Sequence, residues 1–571
     1  MACVLCLRQY TQAEKTAEVQ RFVDDRIPLD VASLDMDWRE EPEERTGYQV
    51  NTDDFPDMRG FLAWLHSIGK VAFFNDHPMS KAPHLSPKEV SFRYDGLTSM
   101  LQLGLDFWWF DCHWSNVMPP LKIGNDSAEV DYMAWGQAVF RATQLRWRRA
   151  QNLSDANTTL TLGCSDSNHW ANHRTPVWWT GDNQWDQLTA EVEKQVTYGL
   201  QLKPYVHMDC TGHHGPEDHG HAYPPEPFVR WIQFCSLGTI MRIHSDPKVN
   251  PGTNYSRQPW AIGMPHDGVE DLVRAFVDMR YKLVPTLVAA AARVTDGDGM
   301  PLVRRLDLEW PAEPNATRTD QYLLGDDLLV APIDPFAQGG GYNATCWTHL
   351  NPPFCNTTGW NRRRDVYLPP ADGWIDAFSG AEHAANQTIE LVNVSLSAMP
   401  LFHRRGGLVV LAKPRALSTA QLDMRELIVE AYAAKRDSRV VRVARRTAAI
   451  TTEGPDGSSK RHEGRDEREE HEEHEEHEEL LEWVRAGPHL TLSISPAVAP
   501  WVVRVRLPQG EAVSAAAVNG MAVTPLRLGA AAEGAMPFGG PGDAAVGADM
   551  VELRLKRGQG RVELKLRRRD H

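Results

Sequence analysis

No apolar run in this chain reaches the roughly 18 residues that a membrane-spanning helix requires, which rules out an integral helical membrane protein. The single CxxC, Cys3-Val4-Leu5-Cys6, has no second pair to make a zinc ribbon, and 8 cysteines in 571 residues are too few for a dense disulfide framework. No Gly-rich turn follows a strand-like run, so the phosphate cradle of a doubly wound sheet is missing; Gly339-Gly340-Gly341 stands by itself. Nor is there a basic stripe to track a phosphate backbone. The formal charge is -16, but His462 to Glu482 holds 12 Asp/Glu against only Arg465 and Arg468 and so carries 10 of those charges. The remainder is nearly balanced for its length, which argues against nucleic acid as a partner. The opening MACVLCLRQY is neither long nor apolar enough for a signal peptide.

What is present is a soluble globular composition, 42% hydrophobic and 24% charged with 19 Trp and a mean hydropathy of -0.43. At about 100–200 residues per domain the length holds two to four domains, one of which can be an α/β barrel of about 250 residues. Thr11-Gln12-Ala13-Glu14 reads as a capping box, and Val19, Phe22 and Val23 continue it as an apolar helix face until Ile27-Pro28. A buried strand follows at Leu29–Leu34. Strand-like runs recur at Lys70–Phe74, Leu105–Phe110, Thr159–Gly163, Val177–Thr180, Pro204–Met208 and Thr239–Ile243. Amphipathic stretches separate them; one puts Tyr132, Trp135, Val139, Ala142 and Leu145 on a single face, another Leu272, Phe276, Met279 and Leu283.

Strands alternating with helices imply parallel βαβ units. Polar and acidic residues gather just past the C-terminal ends of most of these strands, where a (β/α)8 barrel keeps its active site. The expected fold class is therefore α/β, a TIM-type (β/α)8 barrel over residues 1–300. Past that point short strand-like pieces with Gly/Pro turns take over, at Asp327–Ile333, Val366–Leu368 and Gly407–Leu411. They predict C-terminal β-sandwich domains, a proximal one over 301–413 and a distal one over 414–571. The acidic His-Glu-Glu run at 460–482 is expected as a solvated low-complexity insertion, with His471, His474 and His477 along a charged helix.

Two segments join an acid to a dense aromatic wall: Asp106-Phe107-Trp108-Trp109-Phe110-Asp111-Cys112-His113-Trp114 and Val177-Trp178-Trp179-Thr180-Gly181-Asp182-Asn183. Each ends a predicted strand in a carboxylate. Aromatic faces stack on sugar rings, and two carboxylates flanking a glycosidic bond supply the acid and the nucleophile or base that its cleavage needs. The alternative, barrel-wall tryptophans with aspartates as strand-end caps, suits one such segment better than two with the same layout. His207, His213, His214, His219 and His221 lie close in sequence but in a Gly/Pro-rich loop without regular ligand spacing, so no metal site is expected. Asp296-Gly297-Asp298-Gly299 lacks the spacing of an EF-hand and reads as a turn.

From about Gln12 to Leu411 these residues resemble, in order, glycoside hydrolase family 31, the family of α-glucosidases and α-xylosidases. Pro28-Leu29-Asp30-Val31 with Leu34-Asp35-Met36-Asp37 looks like the family's second barrel strand, which implies that Asp35 binds hydroxyls of the sugar in the -1 subsite. Trp109-Phe110-Asp111 resembles the nucleophile strand, implying Asp111 as nucleophile and Trp109 in the sugar site. Trp179-Thr180-Gly181-Asp182 resembles the acid/base motif, implying Asp182 as general acid/base with Trp179 beside it. Arg174, eight residues earlier, stands where the family's sugar-contacting arginine does. Asp209, in His207-Met208-Asp209-Cys210-Thr211-Gly212, resembles the acidic residue after strand seven, and Arg242-Ile243-His244 resembles the family's Arg-Asn-His, implying Arg242 and His244 in the same subsite. Tyr322 to Pro332 resembles the segment that leads into the β domain.

The resemblance implies a retaining, exo-acting α-glycosidase on α-glucosides or a close relative, with a carbohydrate partner and no metal or organic cofactor. Specificity of the α-xylosidase or α-galactosidase type stays open, as does a catalytically inactive carbohydrate-binding homologue. Where family members continue the nucleophile motif as Asp-Met-Asn-Glu, this chain reads Asp111-Cys112-His113-Trp114, so the outer pocket differs. The family's N-terminal β-sandwich and first barrel strand have no evident counterpart before Thr11. The first strand is thus expected to be missing or vestigial and the chain shortened there, since an incomplete barrel would bare an apolar parallel edge.

Compartment is read from asparagine. Of 19 Asn, 9 stand in N-x-S/T sequons: Asn125, Asn152, Asn157, Asn254, Asn315, Asn343, Asn356, Asn386 and Asn393. Ser and Thr number 55, so chance placement would give about two. The excess implies a secretory-pathway lumen, lysosome or vacuole, or the cell exterior, where Cys346 and Cys355 could pair. The lack of a signal-like opening keeps the cytoplasm as the alternative.

Overall fold

The computed structural model describes residues 2–4, 10–40, 47–76, 84–85, 87–111, 121–123, 129–130, 132–152, 161–164, 177–180, 183–214, 223–244, 257–262, 268–335, 362–413, 416–432, 438–448, 474–486, 489–495, 497, 499–507, 511–523, 526–528 and 550–568. Eight strands form one parallel sheet: β1 (Ala2–Val4), β2 (Val31–Leu34), β3 (Val71–Asp76), β4 (Phe107–Phe110), β5 (Thr161–Cys164), β6 (Val177–Trp179), β7 (Val206–His207) and β8 (Met241–Ile243). From β1 to β7 each strand pairs with the next in chain order, and β1 pairs on its other side with β8, Ala2 opposite Met241. The last seam, β7 to β8, is bridged where Cys210 N donates to Arg242 O at 2.9 Å. The ring of strands is thereby closed.

The first strand, expected to be missing or vestigial, is therefore present in Ala2–Val4. Three residues carry too little pattern to be read as a strand. They become one because β2 and β8 offer backbone donors and acceptors on either side.

The helices are α1 (Gln12–Asp24), α2 (Met58–Ser67), α3 (Pro87–Leu103), α4 (Tyr132–Ala150), α5 (Leu188–Leu200), α6 (Pro225–Ser236), α7 (Val269–Lys282) and α8 (Val284–Asp296). The capping box at the head of α1 is formed, Thr11 N reaching Glu14 Oε2 at 3.0 Å and Glu14 N reaching Thr11 Oγ1 at 3.3 Å. Strands covered on both faces read as unbroken apolar runs, and β2 and β4 are buried throughout. Helix α6 is also buried at every residue. Arg230 on it donates to Val394 O and Ala398 O at 2.9 Å each, and Glu226 takes a two-pronged bond from Arg362 at 2.7 and 2.6 Å. No helix among the described residues is long and apolar enough to cross a membrane.

After α8 the chain turns to antiparallel sheets. A six-stranded sheet spans residues from Val303 to Arg404 and shares a core, including Leu323, Leu329, Val366, Trp374 and Phe402, with the ribbon Arg362–Leu368/Gln387–Val394. Five- and six-stranded sheets then face each other as a sandwich across Val429, Trp501, Val503 and Leu553 on one side and Leu490, Leu492 and Val562 on the other. Strand Leu408–Leu411, expected in the proximal unit, belongs to this later sandwich by pairing with Leu427–Tyr432. The segment around Leu417 docks where β2 and β3 begin: Leu29 N and Lys70 Nζ both donate to Leu417 O, at 3.0 and 2.6 Å, and Thr419 N donates to Asp30 Oδ1 at 2.6 Å. The β units thus brace the end of the barrel opposite the strands' C-termini.

One expectation is overturned in the sandwich. Within the run 460–482, the residues from 474 on are neither insertion nor helix: His474–Ala486 is a strand paired with Ser438–Ala448. The partner carries Arg439, Arg442, Arg445 and Arg446, with Arg446 opposite Glu476 and Arg445 opposite His477. An acidic run reads as solvated from its composition alone; what makes this one a strand is the backbone register with its neighbour. His471 lies outside the described residues.

Candidate active site at the C-terminal ends of the strands

The residue after β2, Asp35, caps the single turn Met36–Trp38, its Oδ1 accepting from Met36 N at 2.8 Å. The residue after β4 is Asp111, buried at 6% exposure. Between these two strands β3 places Asn75 near its end. Asn75 Nδ2 donates to Asp35 Oδ1 at 2.8 Å and to Asp111 Oδ2 at 2.7 Å. One amide nitrogen joins two carboxylates, whose bonded oxygens lie within the span of two hydrogen bonds.

Asn75 is itself pinned. Trp38 Nε1 donates to its carbonyl at 2.8 Å, and Arg39 reaches the same oxygen at 3.3 Å while pairing with Asp76 at 2.7 Å. Tyr48 gives its hydroxyl to the other Asp76 oxygen at 2.9 Å. The sequence reading ends this strand at Phe74 and passes over Asn75. The available signal was a polar pair, Asn75-Asp76, directly after an apolar run, the same mark that singles out Asp35 and Asp111.

Burial, and after it the charge of Asp111, push the Asp35 carboxyl up to about 8, so it is protonated at neutral pH. Its Oδ1 already accepts two N–H donors. The proton therefore belongs on Oδ2, which is buried and has no partner among the described residues.

A second cluster forms past β7 and β8. Arg242 Nη1 donates to Asp209 Oδ1 at 2.8 Å, and its guanidinium sits 4.3 Å above the Trp109 ring. His244 stands edge-on to that ring at 5.2 Å, with the His213 ring 4.8 Å further and His213 Nδ1 3.5 Å from Asp209 Oδ2. Trp109, Asp209, Arg242 and His244 are thus brought together, and Trp109 in β4 connects them to Asp111. His213 joins them unforeseen, hidden in the sequence among neighbouring histidines.

The loop that carries Asp209 is tied down on every side. Cys210 forms a disulfide with Cys235 of α6. Asn183 accepts from His213 N at 2.8 Å and donates to Asp209 O at 3.2 Å, and Tyr223 donates its hydroxyl to Thr211 O at 2.7 Å. Thr211 and Gly212 both hold left-handed φ, 79° and 81°. A β-branched residue is strained there, and strain of this kind persists only where the surroundings enforce it. At Gly212 a Cβ would lie 2.4 Å from Trp185 Cα, so glycine is required.

Of the remaining expected residues, Asp182 and Arg174 lie outside the described residues, as do Cys346 and Cys355; Trp179 is described only as backbone in β6. On either side of Asp182 the chain is anchored, Thr180 N donating to His207 O at 3.0 Å and Asn183 being fully buried.

Burial first, then nearby cations including Arg242, holds His207 and His244 well below the ordinary histidine range and brings His213 down to about 3. All three are neutral near pH 7. Asp209, His213 and His244 present ligand atoms within 4.8 Å of one another, the one such group among the described residues. Neutral imidazoles and a carboxylate suit a divalent ion. Arg242, however, already neutralises Asp209, and a second cation beside it would be repelled. The same atoms also serve as donors and acceptors for hydroxyl groups.

A sequence profile described as the glycosyl hydrolases family 31 TIM-barrel domain matches residues 1–88 and 84–290, and one described as the glycosyl hydrolase family 31 C-terminal domain matches 299–409. The chain is 23% identical over 440 residues to an alpha-xylosidase of Saccharolobus solfataricus, covering 71% of this chain and 54% of that protein. It is 30% identical over 239 residues to neutral alpha-glucosidase AB of Homo sapiens, covering 40% and 21%. The chain therefore spans about half the length of the xylosidase and less of the glucosidase. Among solved structures, a GH31 dextranase of Flavobacterium johnsoniae is similar with a TM-score of 0.71 at 14% identity, over 99% of this chain and 70% of that one. A GH31 alpha-xylosidase from Xanthomonas citri gives 0.69 at 17%, over 99% and 59%. At such identities the likeness speaks for the fold, a TIM barrel followed by C-terminal domains.

Proposed function

The chain belongs to glycosyl hydrolase family 31, and from that premise we propose that it is a retaining, exo-acting α-glycosidase that hydrolyses terminal α-glucosidic or closely related bonds by double displacement. The observation that carries this reading is Asp111, a buried carboxylate held through Asn75 to Asp35 and flanked by Trp109, which leads to Asp209, Arg242 and His244. Asp111 attacks the anomeric carbon as the bond to the leaving oxygen breaks. Asp182, three residues after Trp179 in sequence, gives its proton to that oxygen and then takes one from the water that cleaves the glycosyl ester. Asp35, Arg174, Asp209, Arg242 and His244 hold the -1 sugar, with Trp109 and Trp179 as apolar walls. Relatives named alpha-xylosidase and alpha-glucosidase support an α-linked substrate. A luminal or extracellular setting is part of the same reading, supported by the buried Cys210–Cys235 disulfide and by exposed sequon asparagines at Asn152, Asn315, Asn386 and Asn393.

A panel of aryl α-glycosides separates the two carboxylates by role. Asp182→Ala should cripple substrates with poor leaving groups, largely spare glycosylation by good ones, and respond to azide. Asp111→Ala should lose activity with every leaving group, any azide product being of inverted configuration. The wild-type product first seen by NMR should be the α-anomer. An inverted first product, or uniform loss in both folded variants without azide response, would overturn the mechanism; an inactive wild type that still binds sugar would favour the inactive homologue.

A further inference from the structure

We propose that Asn75 is a further substrate-contacting residue of this site, its Oδ1 accepting a hydroxyl of the bound sugar while its Nδ2 clamps Asp35 and Asp111 in fixed relation. The proposal rests on the glycosidase reading and adds a residue to it. The orientation of the amide is set by its partners, because the nitrogen faces Asp35 Oδ1 and Asp111 Oδ2 at once. Flipped, the amide would bring a lone pair against an ionised carboxylate. Both N–H groups are therefore committed, and Oδ1 points elsewhere.

That oxygen is fully buried and has no partner among the described residues. Buried amide oxygens are almost always bonded, and one left bare at a strand end among site residues calls for a ligand. The neighbouring Asp35 Oδ2 is bare as well. Asn75 thus offers an acceptor and protonated Asp35 a donor, and a sugar hydroxyl, which both gives and takes a hydrogen bond, satisfies either or both.

The clamp has a mechanical consequence. Asn75 holds Asp111 by one oxygen and Asp35 by another, so the group that receives the sugar and the group that attacks it hang from one amide. Its carbonyl is fixed by Trp38 and Arg39, which leaves little play in either arm. Fixed attack distances of this kind are worth large rate factors.

The test uses the full chain, the aryl α-glycoside that wild type turns over best, and the 2-, 3-, 4- and 6-deoxy analogues available for that sugar. Asn75→Ala and Asn75→Ser should melt cooperatively, lose about 10- to 100-fold in kcat/KM on the parent glycoside, and label more slowly at Asp111 with a 5-fluoro-α-glycosyl fluoride. For one deoxy analogue the loss should shrink to within about threefold of wild type, because the hydroxyl that Asn75 meets is gone. A loss equal across all analogues, a folded variant retaining wild-type kcat/KM, or unfolding of both variants would overturn the proposal. A wild type inactive and unlabelled on every α-glycoside overturns the glycosidase reading instead. Asn75 is then judged by calorimetry with glucose, xylose and galactose: weakening of about tenfold in the variants upholds the contact, while equal binding, or no binding by wild type, overturns it.

Discussion

Asp35 is 4% exposed, and its carboxyl titrates near 8 when folded against 3.8 for an ordinary aspartate. The charged groups that face it are Asp111 at the end of β4 and Asp37 on its own turn, with Met36 N and Asn75 as donors. A raised carboxyl reverses the usual dependence. Between about pH 4 and 8 the unfolded chain has released this proton and the folded chain has not, so stability falls as pH rises through the window, by at most about 1.4 kcal/mol per unit. Asp35→Asn keeps the shape without the titration. Its melting temperature is therefore expected to exceed that of wild type at pH 8, with the advantage shrinking toward pH 4, while kcat/KM falls; calorimetry at pH 4, 6 and 8 reads it, and a pH-independent difference would contradict it. Asp35, Trp109, Asp111, Asp209, Arg242 and His244 were legible because each lies in an apolar strand or just past its end, and family resemblance supplied roles. Asn75, His213 and the Cys210–Cys235 pair were not. A neutral amide, one histidine among several, and two cysteines 25 residues apart acquire meaning only when the fold supplies their partners.

Elements were read best where both faces are buried. All seven strand candidates of the barrel appear with shifted ends, most of them shorter while β3 and β5 run past their expected ends to Asp76 and Cys164, because hydrophobicity marks burial while pairing decides the boundary. Pattern failed for β1, too short to carry any, and for His474–Ala486, whose acidic composition carries no strand-like alternation. In that strand the register makes a direct prediction. Glu476 is the register partner of Arg446, so Glu476→Arg, which puts like charges at paired positions, should destabilise the sandwich by about 0.5–1 kcal/mol, and adding Arg446→Glu should recover most of it. The readout is the denaturant midpoint of the sandwich's own transition, at low and at high salt, since screening should shrink both effects. Equal destabilisation in the single and double variants would place the strand in another register.

At the scale of the whole molecule, the β units grip the barrel beneath the starts of β2 and β3 and along α6. Asn152, Asn315, Asn386 and Asn393, the four sequon asparagines whose side chains are described, are all exposed. Expression in a secretory host should therefore give a protein whose mass falls on enzymatic deglycosylation, with peptide mapping finding glycans at some or all of the four. An unshifted mass would return the protein to the cytosol. The closing strand carries a consequence for biosynthesis. Ala2–Val4 pairs with Met241–Ile243, so a strand made at the start of the barrel waits for a neighbour made at its end. At about 5–20 residues per second on the ribosome, that interval is on the order of tens of seconds. Through it the edge of β1 that faces β8 stays uncovered, so the nascent barrel is an open sheet until its last strand is made, and its yield depends on how well the cell shelters that edge in the meantime.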